Sequence, residues 1–313
     1  MHIIVDADPI VYRSGFAAET HNYEVFYENE EGEMISKYFA RDTETTAGDK
    51  KKAWAKENPE WTQMDQQRIV EAEPVAFCLN GVKLAMNACV ADIERETKLK
   101  ATQVTVLLSG PDNFREKLAT IKEYKGNREP DYKPTHYQAI RDYLGRRFDA
   151  IVIHGREADD EVSILARADE GVTVVATIDK DLDQVPGMHY DYAKKVLYEV
   201  APREAMLCFF TQLLAGDTVD NIQGLFRVGV GKAEKLLVAW EKEAGDTRLQ
   251  DHWWTQTVKE YDANIKKYPD KYPEGMTGEE AALETARLVY MQQYEGQLWT
   301  PPGQPDATLD DID

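Results

Sequence analysis

Cysteine is scarce in this sequence. Three cysteines occur in 313 residues, and no two of them have the spacing of a metal-binding or redox pair. Cys78, Cys89 and Cys208 each lie within an apolar pattern, which predicts buried free thiols rather than a zinc or disulfide-exchange site.

Long apolar runs are also missing. No stretch approaches the roughly 18 consecutive apolar residues that a membrane-spanning helix needs. Residues 1–6 lead directly into a strand pattern, so no signal peptide is evident. The hydrophobic content of 42% and six tryptophans argue against general disorder. We therefore expect a soluble intracellular protein that does not associate with a membrane.

Positive charge is in deficit as well. Lysine and arginine total 37 against 57 aspartates and glutamates, for a formal net charge of -20. A nucleic-acid-binding protein usually carries a basic footprint, so this balance lowers the expectation of a nucleic-acid partner. It does not exclude one, because a metal site built from carboxylates would hold some of these acids and bound cations would offset them.

Short apolar runs alternate with helical spacing through the first two thirds of the chain. The predicted strands are residues 2–7, 103–108, 150–154 and 172–177, with edge strands at 190–192 and 196–198; the predicted helices are 75–98, 134–147 and 157–169. This alternation predicts an α/β fold over residues 1–200, with a mostly parallel sheet flanked by helices.

The rest of the chain breaks this alternation. Residues 18–74 are expected to form an insertion on the sheet domain, with a hairpin over 22–41. From residue 201 the pattern is wholly helical, which predicts a helical region over 201–298 with helices at 203–215, 232–243, 248–266 and 278–294. The Pro-rich, acidic segment 299–313 is expected to be disordered.

Acidic residues follow each predicted strand of the parallel sheet. They are Asp6 and Asp8 after the first strand, Asp112 beyond the second, Glu157, Asp159 and Asp160 after the third, and Asp179 and Asp181 after the fourth. Because the carboxyl ends of parallel strands meet at one edge, these side chains are expected to converge. Converging carboxylates repel one another, and two Mg²⁺ or Mn²⁺ ions would neutralise them. Such a pair, about 4 Å apart, suits phosphoryl transfer.

The acids after the third strand also look like the first turn of a helix. The alternative to a metal site is therefore a capped helix, because acids suit a helix N-terminus. On a helix, Glu157 and Asp160 at i, i+3 share a face and are expected to point to the metals together. Asp159 lies about 100° round from Asp160 and would reach the site from the side.

A fifth acidic element precedes a glycine-rich turn. Asp217 and Asp220 are three residues apart, and residues 224–233 follow with the sequence GLFRVGVGKA. Backbone N–H groups in such a turn, with a helix N-terminus and a lysine, can bind a phosphate. The candidates for contacting a duplex backbone are Gly224, Val228, Gly229, Gly231 and Lys232.

Together these motifs resemble one family. The segments are YKGNR at 124–128, EADD at 157–160, DKD at 179–181, GDTVDN at 216–221 and GVGK at 229–232. In this order they resemble the flap endonuclease / 5′→3′ exonuclease family, especially its bacteriophage members and the exonuclease domain of bacterial DNA polymerase I. The resemblance covers roughly residues 1–17 and 103–245.

The resemblance implies a PIN-like sheet domain, a helix-three-turn-helix DNA-binding region and cleavage of phosphodiesters at or near a 5′ end by two-metal hydrolysis. By this likeness the metal ligands, or their close water-mediated partners, are Asp6, Glu157, Asp159, Asp160, Asp179, Asp181, Asp217 and Asp220. Lys125 and Arg128 would stabilise the scissile phosphate, and Tyr124 would offer a stacking surface.

The resemblance also implies partners and a setting. The turn at 224–232 would bind K⁺, and the substrates would be 5′ ends, flaps and nicks in DNA, with RNA primers paired to DNA as an extension. A monomer in the cytoplasm of a bacterial or phage-infected cell is expected, acting in DNA replication or repair. Apart from the resemblance, the short acidic and apolar end at 309–313 is a candidate for docking on a partner such as a replication protein.

The sequence departs from the family in two places. Family members carry an aspartate directly at the end of the second strand, whereas this chain has Ser109, with Asp112 displaced by a few residues. The insertion at 18–74 lies outside the usual arch position, between Arg128 and residue 148. Two alternatives stay open: a haloacid-dehalogenase-type phosphatase with Asp6 as its nucleophile, and a non-catalytic DNA-junction-binding protein that has lost one metal position.

Overall fold

The structure is a computed structural model that describes residues 1–42, 44–128, 133–169 and 171–311. The chain divides into two compact units. The sheet unit comprises Met1–Pro9, Ala85–Tyr132 and Leu144–Asp313, and the insertion unit comprises Ile10–Leu84 and Lys133–Tyr143. The boundary predicted near residue 200 does not separate compact units, since the parallel sheet and the C-terminal helices belong to the same one.

The strands, in chain order, are β1 (His2–Asp6), β2 (Glu19–Asn29), β3 (Met34–Phe39), β4 (Trp61–Ala72), β5 (Gln103–Ser109), β6 (Ile151–Ile153), β7 (Thr173–Thr177), β8 (Gly187–Asp191), β9 (Val196–Val200), β10 (Gly216–Asp217), β11 (Ile222–Gln223), β12 (Gln297–Leu298) and β13 (Ala307–Thr308). The helices are α1 (Asp8–Phe16), α2 (Ala47–Glu57), α3 (Val75–Thr97), α4 (Arg115–Leu118), α5 (Tyr137–Phe148), α6 (Ala158–Ala168), α7 (Pro202–Ala215), α8 (Val230–Glu243), α9 (Leu249–Lys267) and α10 (Gly278–Val289). Short 3₁₀ turns lie at Lys180–Gln184, Pro269–Lys271 and Leu309–Asp311.

The apolar run at the start of the chain forms an inner strand of a six-stranded sheet with the order β6-β5-β1-β7-β8-β9. β1 pairs in parallel with β5 on one side and β7 on the other, and only β9 runs antiparallel to its neighbour. All five residues of β1 are buried, as expected of a strand covered on both faces. The predicted α/β fold with a mostly parallel sheet is confirmed.

The insertion unit contains a separate three-stranded antiparallel sheet with the order β3-β2-β4. The predicted hairpin over 22–41 is present, with Tyr23 opposite Phe39. The polar stretch that follows contains α2 and the long strand β4, which alternation of apolar residues did not signal. α2 packs on this sheet through Trp54, whose ring centroid lies 4.4 Å from that of the buried Tyr27.

One helix of the described residues, α3, is long and apolar enough to cross a membrane by length and composition alone. Its buried side chains form a single stripe of Cys78, Val82, Met86, Cys89 and Ile93. A stripe of this kind is typical of a helix that packs on a protein core, and such helices also satisfy that criterion.

The C-terminal part of the chain differs from prediction in two places. α10 ends at Val289, several residues before the predicted end, so residues 290–296 lie outside it. The segment 299–313 is not disordered as far as the structure describes it, because β13 pairs with β12 and Trp299 is buried. Residues 312–313 of the predicted disordered tail lie outside the described residues.

Candidate metal centre and nucleic-acid interface

Two aspartates at the end of β1 begin the site. Asp6 is 2% exposed, and its carboxylate accepts hydrogen bonds from the Thr177 hydroxyl at 2.9 Å and from the backbone N–H of Asp8 at 3.3 Å. The Asp8 carboxylate accepts a 2.9 Å hydrogen bond from the backbone N–H of Ser109. The Ser109 hydroxyl in turn accepts from the N–H of Ala158, at the first turn of α6. Ser109 therefore holds both Asp8 and the start of α6.

Four aspartates at this edge of the sheet repel one another. Burial, followed by the charge of Asp8, raises the pKa of Asp6 to about 8. Burial, followed by Asp6, raises the pKa of Asp159 well above its ordinary value. Burial also raises the pKa of Asp179, and burial with repulsion from Asp179 raises the pKa of Asp181 to about 7. The strand-end acids are therefore gathered in one desolvated, negative cluster.

The acids of the loop at 216–221 belong to the same cluster. The charges of Asp217 and Asp220 contribute to the raised pKa of both Asp179 and Asp181. Asp217 accepts hydrogen bonds from the N–H groups of Val219 and Asp220, which fixes the loop. The structure thus brings together seven aspartates, with Glu157 beside them: Asp6, Asp8, Asp159, Asp179, Asp181, Asp217 and Asp220. Asp8 is not among the ligands that the family resemblance implies, although its spacing of two residues from Asp6 is a signal in the sequence.

Two cations close one side of this cluster. Lys125 Nζ pairs with Glu157 Oε1 and lies 3.5 Å from Asp220 Oδ2. Arg128 pairs with the other oxygen of Asp220. Burial would raise the pKa of Glu157, but Lys125 and Arg115 outweigh it, so that pKa is lowered. The predicted phosphate-binding cations thus lie against two of the predicted metal ligands.

Tyr124 is not a stacking surface, which corrects the prediction. It is 7% exposed, and its hydroxyl lies 2.8 Å from Glu157 Oε2 and 2.9 Å from Asp220 Oδ2. Burial and the charge of Glu157 raise its pKa, so it is a neutral hydrogen-bond donor. Its hydroxyl positions Glu157 and Asp220, the two carboxylates that Lys125 also contacts.

Asp160 is also corrected, because its carboxylate faces away from the cluster. It is fully buried and forms a bidentate pair with Arg115, at 2.6 and 2.9 Å. It also accepts from the N–H groups of Glu157 and Gln292. The predicted shared face fails because α6 starts at Ala158; Glu157 precedes the helix with extended backbone. Asp159 and Asp160 are then adjacent in one turn and point in different directions.

Asp112 lies outside the cluster. Its side chain is 70% exposed, and its described ion-pair partner is His154, 3.7 Å away. An exposed carboxylate of this kind does not replace the aspartate that the family carries at the end of the second strand. The prediction that Asp112 reaches a metal is therefore not supported by its position.

The glycine-rich turn leads into α8. Gly224 and Val228 are buried, and the predicted contact of this turn's backbone with a duplex stays a prediction. A Cβ on Gly224 would lie 2.3 Å from the backbone N of Gly216, which explains the glycine there. Gly229, Gly231 and Lys232 are exposed, and a Cβ on either glycine would meet nothing within 4 Å. These two glycines leave open backbone that another molecule can approach.

Beside this turn lies a group that the sequence analysis missed, here called the basic–aromatic patch: Phe226, Arg227, Lys267, Tyr268 and Lys271. The Arg227 guanidinium lies 5.5 Å from the Phe226 ring centroid and 5.7 Å from that of Tyr268. Lys267 lies 5.2 Å from the Tyr268 ring and Lys271 lies 5.4 Å from the Phe226 ring. A hydrogen bond from Lys267, with the charge of Arg227, lowers the pKa of Tyr268. Asp270 pairs with Lys271 at 2.7 Å, and Arg227 and Lys267 leave the patch with an excess of positive charge.

No family model matches the chain, and no curated protein matches it either. Among solved structures it is similar to the T5 D15 protein co-crystallised with metal ions, with a TM-score of 0.51 and 14% identity over 92% of this chain and 88% of that one. It is also similar to T5 5′-exonuclease with bound zinc ions, with a TM-score of 0.49 and 14% identity over 92% and 89% of the two chains. At 14% sequence identity, the similarity to the T5 D15 protein shows the fold. The chain has the fold of the T5 D15 protein, as the family resemblance implied.

Proposed function

We propose that this chain is a divalent-metal-dependent 5′→3′ exonuclease and flap endonuclease of the flap endonuclease / 5′→3′ exonuclease family. The observation that carries the proposal is the cluster of seven buried or half-buried aspartates at the sheet edge, closed on one side by Lys125 and Arg128. The fold of the T5 D15 protein supports it.

The donor set fits a pair of hard divalent cations. It consists of carboxylates, and Mg²⁺ or Mn²⁺ prefers such oxygen ligands. Burial and mutual repulsion raise the pKa of Asp6 to about 8 and that of Asp181 to about 7. Among the described residues, no three side chains are already arranged as a metal coordination shell. The carboxylates lie close together, and their final arrangement would form when the ions bind. Asp6, Asp159, Asp179, Asp181, Asp217 and Asp220 would hold the ions, with Asp8 and Glu157 beside them. When bound, the ions would acidify the attacking water and stabilise the leaving oxygen.

Lys125 and Arg128 would bind the scissile phosphate. Both cations now pair with Glu157 or Asp220. A phosphodiester offers the same kind of anionic oxygen, and positive groups aimed at developing charge stabilise the transition state. The loop that carries them is fixed in place, because the backbone N–H of Lys125 donates to the Asp220 carbonyl at 2.8 Å and Asn127 donates to the Thr218 carbonyl at 2.7 Å.

The turn and the basic–aromatic patch would bind the duplex backbone. Gly229 and Gly231 expose backbone near Lys232, and the patch adds Arg227, Lys267 and Lys271. Local grouping of cations allows a chain with a net charge of -20 to bind a polyanion. K⁺ at the turn, RNA primers as substrates and a replication partner stay predictions.

The two alternatives are less compatible with the geometry. A covalent nucleophile must reach a phosphorus atom, whereas Asp6 is 2% exposed and bound by Thr177 and the N–H of Asp8. A phosphatase would also leave Asp217 and Asp220 without a purpose. The hypothesis of a non-catalytic protein that has lost a metal position depended on Ser109. The backbone N–H of Ser109 binds the Asp8 carboxylate, however, and Asp8 provides a carboxylate beside Asp6.

A panel of end-labelled DNA substrates tests the proposal. The purified chain is incubated with 5′-flap, nicked, blunt and 3′-flap duplexes, with Mn²⁺ or Mg²⁺ and with excess chelator. We expect products from the 5′-flap and nicked duplexes only when divalent metal is present. Cleavage restricted to the 3′ flap, unchanged cleavage in chelator, or no cleavage of any substrate would refute it.

A further inference from the structure

Two glutamines lie behind one side of the aspartate cluster. Gln212, near the end of α7, donates a hydrogen bond from Nε2 to Oδ1 of Asp181. The oxygen of the same amide accepts a hydrogen bond from Nε2 of Gln184. Gln184 is 5% exposed and follows Asp181 by three residues within a short 3₁₀ turn. The buried amide of Gln184 and the half-buried amide of Gln212 therefore form a hydrogen-bonded chain that starts at Asp181.

The far end of this chain is the last residue of α10 and the segment that follows it. Gln184 Nε2 also donates to the carbonyl of Val289 at 2.7 Å, and its oxygen accepts from the N–H of Met291 at 3.4 Å. An amide has one accepting oxygen and one donating nitrogen. Since both groups of Gln184 are engaged by the backbone, its orientation is set. Gln184 then offers a donor to Gln212, so Gln212 can offer only its own N–H to Asp181.

We propose that Gln212 is a positioning residue for Asp181, with Gln184 anchoring it to the segment after α10. Gln212 occupies Oδ1 and fixes the plane of the carboxylate, which leaves Oδ2 to bind a divalent cation. This inference rests on the proposed function, because it assumes that Asp181 binds a metal. Groups that orient metal ligands are worth about 10- to 100-fold in metal affinity when they are removed.

If the two glutamines had only a space-filling role, we would expect a different effect on metal affinity. If Gln212 and Gln184 only fill the space between α7 and the 3₁₀ turn, an apolar side chain of the same length would preserve Asp181 and its affinity for metal. If they orient Asp181, the same change would lower metal affinity even where folding is intact. Methionine is close to glutamine in length and lacks the amide, so Gln212→Met separates the two.

The test is a calorimetric titration of the full chain with Mn²⁺ in the absence of DNA. We compare the wild type, Gln212→Met and Gln184→Met, with Gln138→Met, which changes an exposed residue of α5, as the control for removal of a surface amide. We expect about 10- to 100-fold weaker binding of at least one ion for Gln212→Met, a smaller loss for Gln184→Met and none for the control. Cleavage of a 5′ flap should need correspondingly more Mn²⁺ and recover at saturation.

Each result decides a different claim. Wild-type Mn²⁺ affinity in both glutamine variants overturns the positioning role. Should Gln212→Met fail to fold, Gln184→Met decides alone, and unchanged affinity there overturns the anchoring chain. A wild type that binds no Mn²⁺ and cleaves nothing refutes the proposed function itself. A wild type that binds Mn²⁺ more tightly than Gln212→Met supports both the proposed function and the positioning role.

Discussion

Arg115 and Asp160 form the most deeply buried ion pair of the described site. Arg115 also donates to the carbonyls of Leu288 and Tyr290, at 2.7 and 2.9 Å, so the pair connects the start of α6 to the end of α10 and the residue after it. Removal of one partner of a buried pair typically costs about 3–5 kcal/mol, because an uncompensated charge is left behind. The pair is therefore a stability element at the rear of the metal site.

A substitution at Arg115 tests this assignment. We expect Arg115→Met to lower the free energy of unfolding by about 3–5 kcal/mol, measured by denaturant titration. The double variant Arg115→Met/Asp160→Leu should recover part of that loss, because both charges are gone. If Asp160 were a metal ligand instead, Asp160→Asn would abolish Mn²⁺ binding with little effect on stability, which is the opposite pattern.

Most of the candidate residues could be read from the sequence, but their directions could not. Strand-end position correctly brought Asp6, Asp159, Asp179 and Asp181 together. Asp160 was misjudged because the helix starts one residue later than predicted, so Asp160 and Glu157 do not share a helical face. Arg115 carried no signal at all, since its partners lie far along the chain and pairing across such distances leaves no local pattern.

At the scale of elements, the parallel sheet is the part that the sequence predicts best. Its strands are continuous apolar runs because both faces are covered, and their carboxyl ends meet at one edge. α2 and β4 were missed because β4 alternates weakly and is largely exposed. The basic–aromatic patch was missed because Arg227 lies in the turn before α8 and Lys267 at the end of α9, so the two come together only in the fold.

The patch has a testable role in DNA binding. For each phosphate that the protein no longer neutralises, the slope of log affinity against log salt should fall by about 0.9. We expect Lys267→Ala/Lys271→Ala to weaken binding to a flap duplex and to flatten this slope by about 2, measured in Ca²⁺ to prevent turnover. Lys83→Ala, an exposed lysine on α3, is the control and should leave the slope unchanged.

Arg227 offers a second arm for the same test. Its φ of 65° lies in the left-handed region that glycine prefers. Arg227→Gly should therefore keep or raise the free energy of unfolding while it weakens DNA binding. An Arg227→Gly variant that binds DNA as tightly as the wild type, with an unchanged salt slope, would remove the patch from the interface.

At the scale of the whole molecule, the aspartate cluster couples stability to pH and metal. The pKa of Asp6 is about 8 in the folded chain and near 3.8 ordinarily, so the folded state binds more protons than the unfolded state between these values. The free energy of unfolding must then fall as pH rises through this window, by about 1.4 kcal/mol per pH unit for each such carboxylate. Bound cations would stabilise the ionised form and remove the penalty.

Thermal melts at pH 6.5 and pH 8 measure this coupling. In chelator we expect the melting temperature at pH 8 to be lower than at pH 6.5. In excess Mg²⁺ we expect a much smaller difference between the melting temperatures at the two pH values. The lower limit is set at pH 6.5 because burial lowers the pKa of His189 from its ordinary 6.5, and its opposite contribution acts mainly below that pH. An identical pH dependence with and without metal would contradict the coupling.

The central claim is that this cluster holds the ions for phosphodiester hydrolysis, and its most direct test is single-turnover cleavage of a 5′-labelled flap duplex by Asp179→Asn/Asp181→Asn. The control is Asp65→Asn/Asp246→Asn, which removes two exposed carboxylates outside the cluster. We predict that the wild type and the control release labelled products only with divalent metal, and that the cluster variant binds the duplex but releases none. Wild-type cleavage by Asp179→Asn/Asp181→Asn would contradict the account.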